Sequence, residues 1–125
     1  NFVSIYNQAL NAEVAGLDEI CGMGYRKALE FLIKDFAIHE HPEKQDDIEQ
    51  ALLGKCIDNY IDSSRIKTLA KASAWLGNDE THYIKRHPDY SIDDLKLFID
   101  SVVSFIDSEL TVYKAQELLK RKDPK

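Results

Sequence analysis

The residues of this chain best suited to chemistry lie between Arg65 and His87. The run Gly77-Asn78-Asp79-Glu80-Thr81-His82 is its sharpest motif. A histidine titrates near neutral pH and can give or take a proton, which makes His82 the residue of this motif best suited to acid–base chemistry. The same stretch carries Arg65, Lys67, Lys71, Lys85 and Arg86 against Asp79 and Glu80, a local excess of three positive charges in a chain of formal net charge −6. Phosphate is held chiefly by Lys and Arg, so Lys67, Lys71, Lys85 and Arg86, joined by Arg26 from upstream, are the candidate nucleic-acid-binding residues. The acidic total argues against a general, sequence-blind nucleic-acid binder and leaves room for one local basic patch. A plainer account competes, in which Lys67 and Lys71 are i,i+4 neighbours on a solvated helix face.

Other clusters reduce to structure. Gly22-Met23-Gly24 before Tyr25 and Arg26 lacks the preceding strand and third glycine of a phosphate-cradling loop, so close helix packing explains it better. Arg26 and Glu30 are one turn apart, the spacing of an intrahelical ion pair. His39, Glu40 and His41 fall before Pro42 with no fourth ligand fixed nearby, and read as a surface loop with no metal site. Lys34 precedes His39 without the bidentate geometry of arginine. The acid pairs Asp18 with Glu19, Asp46 with Asp47 and Asp93 with Asp94 sit where helices should begin and complement their free amides. Cys21 and Cys56 form no Cys-x-x-Cys pair, which points to two buried thiols in a cytoplasmic protein.

The elements that must position these groups are helical. Phe2, Ile5, Tyr6, Ala9 and Leu10 recur at helical spacing up to Gly16. Asp18 is placed to cap a second helix with Ile20, Met23, Ala28, Phe31, Leu32 and Phe36 inward, ending before Pro42. Asp46 and Glu49 resemble a capping box for a third helix through Leu52, Leu53, Cys56, Ile57 and Tyr60. A fourth runs from Arg65 with Ile66, Leu69, Ala70, Ser73 and Leu76 on one side, and ends between Gly77 and His82. Ser91 and Asp94 start a fifth with the stripe Leu95, Phe98, Ile99, Val102, Ile106 and Leu110, and Lys120 to Lys125 reads as a frayed tail. At 125 residues with 44% hydrophobic and 30% charged, the chain suits one globular domain with a single core. No apolar run approaches the ~20 residues of a bilayer span. The expectation is an all-α, antiparallel bundle of about five helices. With no initiator methionine at Asn1, it is expected to be a piece of a longer protein.

Tyr25 to Asp35, together with Trp75-Leu76-Gly77-Asn78-Asp79-Glu80-Thr81-His82, resembles the prokaryotic family known as domain of unknown function 4145, over nearly the whole chain. That family is similar in turn to the HEPN superfamily of helical bundles, which implies a HEPN-like fold, a homodimer and a place among bacterial toxin, defence or restriction proteins. Many catalytic members are metal-independent endoribonucleases marked by an Arg followed after four to six residues by His, often as Arg-Asn-x-x-x-His. The arginine fork steadies the phosphate while the histidine moves the proton of the ribose 2′-hydroxyl or the leaving oxygen. Here Asn78 and His82 stand in place and Gly77 occupies the arginine position. None of the four arginines, Arg26, Arg65, Arg86 and Arg121, precedes a histidine at that spacing. The resemblance therefore implies a non-catalytic binding or assembly module with no cofactor. In that reading Asn78 satisfies free backbone groups and His82 hydrogen-bonds across the bundle. The rival is a ribonuclease using His82 and Asn78, with Arg26 or Lys85 reaching in to replace the missing cation.

Overall fold

A computed structural model describes residues 1–121. Its regular elements are α1 (Phe2–Val14), α2 (Asp18–Glu40), α3 (Gln45–Gln50), α4 (Leu53–Tyr60), α5 (Ser64–Asp79) and α6 (Ile92–Leu119), with a 3₁₀ turn at Pro42–Lys44. The all-α bundle is as expected. Among the described residues there are six helices because the expected third one is two. Ala51 and Leu52 adopt extended backbone, with ψ of 149° and 147°, and Lys34 of α2 fills the break. Its ammonium donates to the carbonyls of Glu49 at 3.1 Å and Ala51 at 2.7 Å, serving carbonyls that a helix end leaves unpaired. Glu30 lies 3.1 Å from the same ammonium. The expected capping box is absent: the α3 N-cap is Lys44, Asp46 and Asp47 lie in the first turn, and Glu49 accepts from Gln45.

The other boundaries follow local chemistry. Gly16 takes the left-handed backbone, φ 78°, which a residue without Cβ adopts freely and which ends α1. Leu17, not Asp18, is the N-cap of α2, and Asp18 and Glu19 occupy its first turn. Ser63 Oγ accepts from the Ile66 amide and opens α5. Asp94 accepts from the Ser91 amide at 2.9 Å and opens α6, as expected. Of the expected tail, Lys120 is the C-cap of α6 and the Arg121 amide donates to the Leu118 carbonyl at 3.1 Å, while 122–125 lie outside the described residues.

Helix α2 touches all five others, and that placement corrects its expected inward face. Cys21, Tyr25, Ala28, Leu29, Ile33, Phe36 and Ala37 are buried, whereas Ile20, Met23 and Phe31 are exposed. Against this axis pack Leu53, Cys56 and Ile57 of α4, Ile66, Ala70 and Ala74 of α5, and Leu95, Ile99, Val102 and Ile106 of α6, each large side chain stabilising by about 1.5–3 kcal/mol on burial. Leu110, expected on the α6 stripe, is exposed. Both cysteines are buried and free. Tyr25 donates to Glu13 at 2.6 Å, Lys96 pairs with the same carboxylate at 3.1 Å, and the trio ties α1, α2 and α6 together. No helix among the described residues is long and apolar enough to cross a membrane.

Two glycines set how closely the helices approach. A Cβ on Gly24 would meet Ala9 of α1 at 2.9 Å, and one on Gly77 would meet Arg26 Cγ at 2.9 Å and Cβ at 3.0 Å. Near the backbone these atoms cannot swing aside. Gly77→Ala should therefore lower stability by roughly 1–3 kcal/mol through overpacking, despite a helix-propensity gain of up to about 1 kcal/mol. Urea denaturation checks this, and a stabilised variant would contradict the packing account.

Candidate functional site

The site is built on the last turn of α5. Gly77 leaves room for the stem of Arg26, whose Nε donates to Asn78 Oδ1 at 2.8 Å. Its other arm pairs with Glu30 at 3.2 Å, the i,i+4 bridge expected from spacing. Arg26 thus reaches the motif. Lys85 pairs with Glu80 of the motif at 3.0 Å and makes no such bond to Asn78 or His82. Glu80 in turn packs over Gly22, so the Gly22-Met23-Gly24 segment serves packing.

The helix closes by tightening: the amides of Glu80, Thr81 and His82 donate to the carbonyls of Gly77, Asn78 and Asp79 at 3.2, 3.0 and 3.3 Å. His82 therefore lies beyond the helix, exposed. Among the described residues its ring makes no hydrogen bond, so the expected bond across the bundle is not formed.

The residue that organises the site is Asp79. It is 4% exposed. Its Oδ1 accepts the Arg86 amide at 3.1 Å, and its Oδ2 accepts the His87 amide at 2.9 Å and lies 3.0 Å from His87 Nδ1. Burial works to raise the Asp79 pKa, but the Arg86 amide and the ring and amide of His87 outweigh it and hold the carboxyl below its ordinary value. Because its partner is an acceptor, Nδ1 carries the hydrogen. The His87 ring stacks on Trp75, with centroids 5.6 Å apart and planes 18° from parallel. Neither Asp79 nor His87 was singled out from the sequence. The available signal was a carboxylate in the last turn of a helix, where the dipole disfavours it unless donors are brought to it.

Trp75, Asn78, Asp79, His82, Arg86 and His87 line an open cavity of about 480 Å³. It gathers both candidate catalytic residues and one of the five candidate basic residues, Arg86, whose guanidinium has no ion-pair partner among the described residues. The others do not converge with it. Lys67 donates to the Asp58 carbonyl at 3.2 Å, and Lys71 pairs with the Asp58 carboxylate at 2.8 Å, bracing α5 against α4. Lys67, Lys71, Trp75 and Asn78 nevertheless share one side of α5, since spacings of four, four and three keep to one helical face. That side spans about 17 Å at 1.5 Å per residue and runs into the cavity.

At the far end of the bundle, His39 and Glu40 belong to the last turn of α2, not to a loop. Tyr113 donates to Glu40 at 2.6 Å with His39 against its ring, and His41 Nε2 lies 3.2 Å from Asp62. No group of three or more His, Cys, Asp or Glu among the described residues is placed to hold a metal ion. Lys34, occupied with backbone carbonyls, forms no unit with His39. No family model, curated protein or solved structure matches the chain.

Asp79→Asn should cost roughly 1–3 kcal/mol near neutral pH, because one acceptor becomes a donor facing other donors. The sign with pH follows from the depressed pKa. The contribution of Asp79 is full above the unfolded value of about 3.9 and is lost as pH falls through the lower folded value. Stability measured against pH should therefore show wild type and variant converging below about pH 4, and a constant gap down to pH 2 would contradict the assignment.

Proposed function

We propose that this chain is a non-catalytic helical module that binds single-stranded nucleic acid along the outer side of α5, as a binding or assembly unit of a larger bacterial, cytoplasmic protein concerned with nucleic acid or defence. The observation that carries this reading is Trp75. It is 61% exposed although His87 covers one side, and it lies between Lys67 and Lys71 on one side and Arg86 on the other. Proteins that bind single strands pair such an aromatic platform for bases with cations that follow the phosphates. The exposed pairs with Asp58 are worth little, so phosphate can displace the carboxylate from Lys71. The net charge of −6 disfavours contact elsewhere and confines binding to this face.

The resemblance to domain of unknown function 4145 and to HEPN bundles supports the same reading and adds a homodimer. Glycine at the arginine position of the ribonuclease pattern supports the absence of catalysis. One observation favours the rival reading, a metal-independent endoribonuclease: His82, His87 and Arg86 line one cavity, an acid-base pair and a cation without the usual spacing. Incubating the protein and a His82→Ala variant with mixed RNA and a chelator decides between them. The proposal expects no cleavage by either, and cleavage lost in the variant would establish the rival.

Binding is tested by fluorescence anisotropy of a labelled single-stranded RNA at low salt. Trp75→Ala should lose roughly 1–3 kcal/mol, about 5- to 150-fold in Kd, and Lys67→Glu with Lys71→Glu should weaken binding and flatten its salt dependence. Absence of binding by the unaltered protein would end the proposal.

A further inference from the structure

The groups lining the cavity differ in what they are already committed to. Asp79 holds the Arg86 amide, which fixes the residue while its guanidinium is unpaired among the described residues. His87 gives Nδ1–H to Asp79 and is held flat by Trp75, so Nε2 is its free ring atom. His82 lines the same space, and its ring makes no hydrogen bond among the described residues. The Asp79 carboxylate also lines it, but three N–H donors already engage its oxygens. The cavity thus combines a fork of donors with no ion-pair partner among the described residues, two imidazole rings and an indole.

We infer that this cavity takes a terminal phosphomonoester joined to a nucleobase, with the phosphate on Arg86, His82 and His87 Nε2 and the base against Trp75. This rests on the nucleic-acid reading above and narrows it to the end of a strand or a free nucleotide. A phosphodiester inside a strand carries one charge and no proton that titrates near neutrality. A phosphomonoester has a second ionisation near pH 6, so it can meet the His87 ring as a dianion that accepts from an N–H or as a monoanion that donates its own proton. The bond is N–H···O when the imidazole is charged and N···H–O when the phosphate retains its proton. The second charge of the dianion is what Arg86 and His82 together can meet and a diester does not offer. A volume of about 480 Å³ lies within the range of small-molecule sites, and the side of α5 that carries Lys67 and Lys71 also carries Trp75 and Asn78 of its lining.

Trp75 is the only tryptophan of the chain, so its fluorescence reports on the cavity. The protein is titrated with one short RNA bearing a 5′-phosphate, a 3′-phosphate or hydroxyls at both ends, and separately with a nucleoside 5′-monophosphate and its nucleoside. At least one phosphorylated end should bind roughly 10-fold or more tighter than the hydroxyl-ended strand. That preference should vanish in Arg86→Gln, which keeps the backbone amide that Asp79 holds, and fall in His82→Gln. A monophosphate that binds as tightly as the phosphorylated strand supports the inference with a free nucleotide as ligand, and a tighter strand supports it with a strand end. Equal binding of all three strands, or a preference intact in Arg86→Gln, would overturn the inference and leave the nucleic-acid reading standing. No response to any strand would remove both.

Discussion

A carboxylate buried at the end of a helix has to be surrounded by donors, and in this protein that requirement shapes the loop that follows α5. Asp79 is nearly inaccessible and lies where the helix dipole is unfavourable to it. The chain meets the cost by turning back after His82 and bringing the amides of Arg86 and His87 and the His87 ring to its two oxygens. An unpaired buried charge would cost several kcal/mol, so the segment that follows is folded as tightly as the core requires. One consequence is the cavity. Another is that His87 is oriented, with Nδ1 committed and its ring flat against Trp75.

The remaining architecture supports this corner from behind. Helix α2 runs through the middle of the bundle, and its Arg26 passes over Gly77 to hold Asn78. A side chain at position 77 would push α5 away from α2 and carry Trp75, Asn78 and Asp79 with it. The glycine that removes the arginine of a ribonuclease pattern is thus a residue on which the close crossing depends. Arginine returns to the neighbourhood twice, as Arg26 buttressing Asn78 and as Arg86 in the cavity. Only the second is without an ion-pair partner among the described residues, which is why binding of phosphate is assigned to it.

What could be read beforehand was what local chemistry decides. Gly16, Pro42 and the Ser91–Asp94 pair mark helix ends through conformation or capping, and the apolar spacing from Ile66 to Leu76 and from Leu95 to Ile106 finds the buried sides of α5 and α6. What was misjudged depends on partners distant in sequence. The break at Ala51 and Leu52 is served by Lys34 from another helix, and the expected stripe of α2 is right at Ala28 and Phe36, which are buried, and wrong at Ile20, Met23 and Phe31, which the packing of the neighbouring helices leaves exposed. At the site, Asn78, His82 and Arg86 were legible by residue type. The link from Asp79 to His87 spans an irregular loop, where no periodicity announces it. Lys67, Lys71, Lys85 and Arg86 looked alike as charges, and only their partners separate the braced or paired ones from the free one.

The central claim is that Asp79 holds the loop after α5 in place through the amides of Arg86 and His87. Amide hydrogen exchange measured residue by residue tests it most directly. The account predicts that these two loop amides exchange as slowly as those in the last turns of α5, while the neighbouring exposed amides of Tyr83 and Ile84 exchange freely. Exchange at Arg86 and His87 as fast as at Tyr83 would show that the carboxylate does not hold them, and would contradict the cavity on which the functional reading depends.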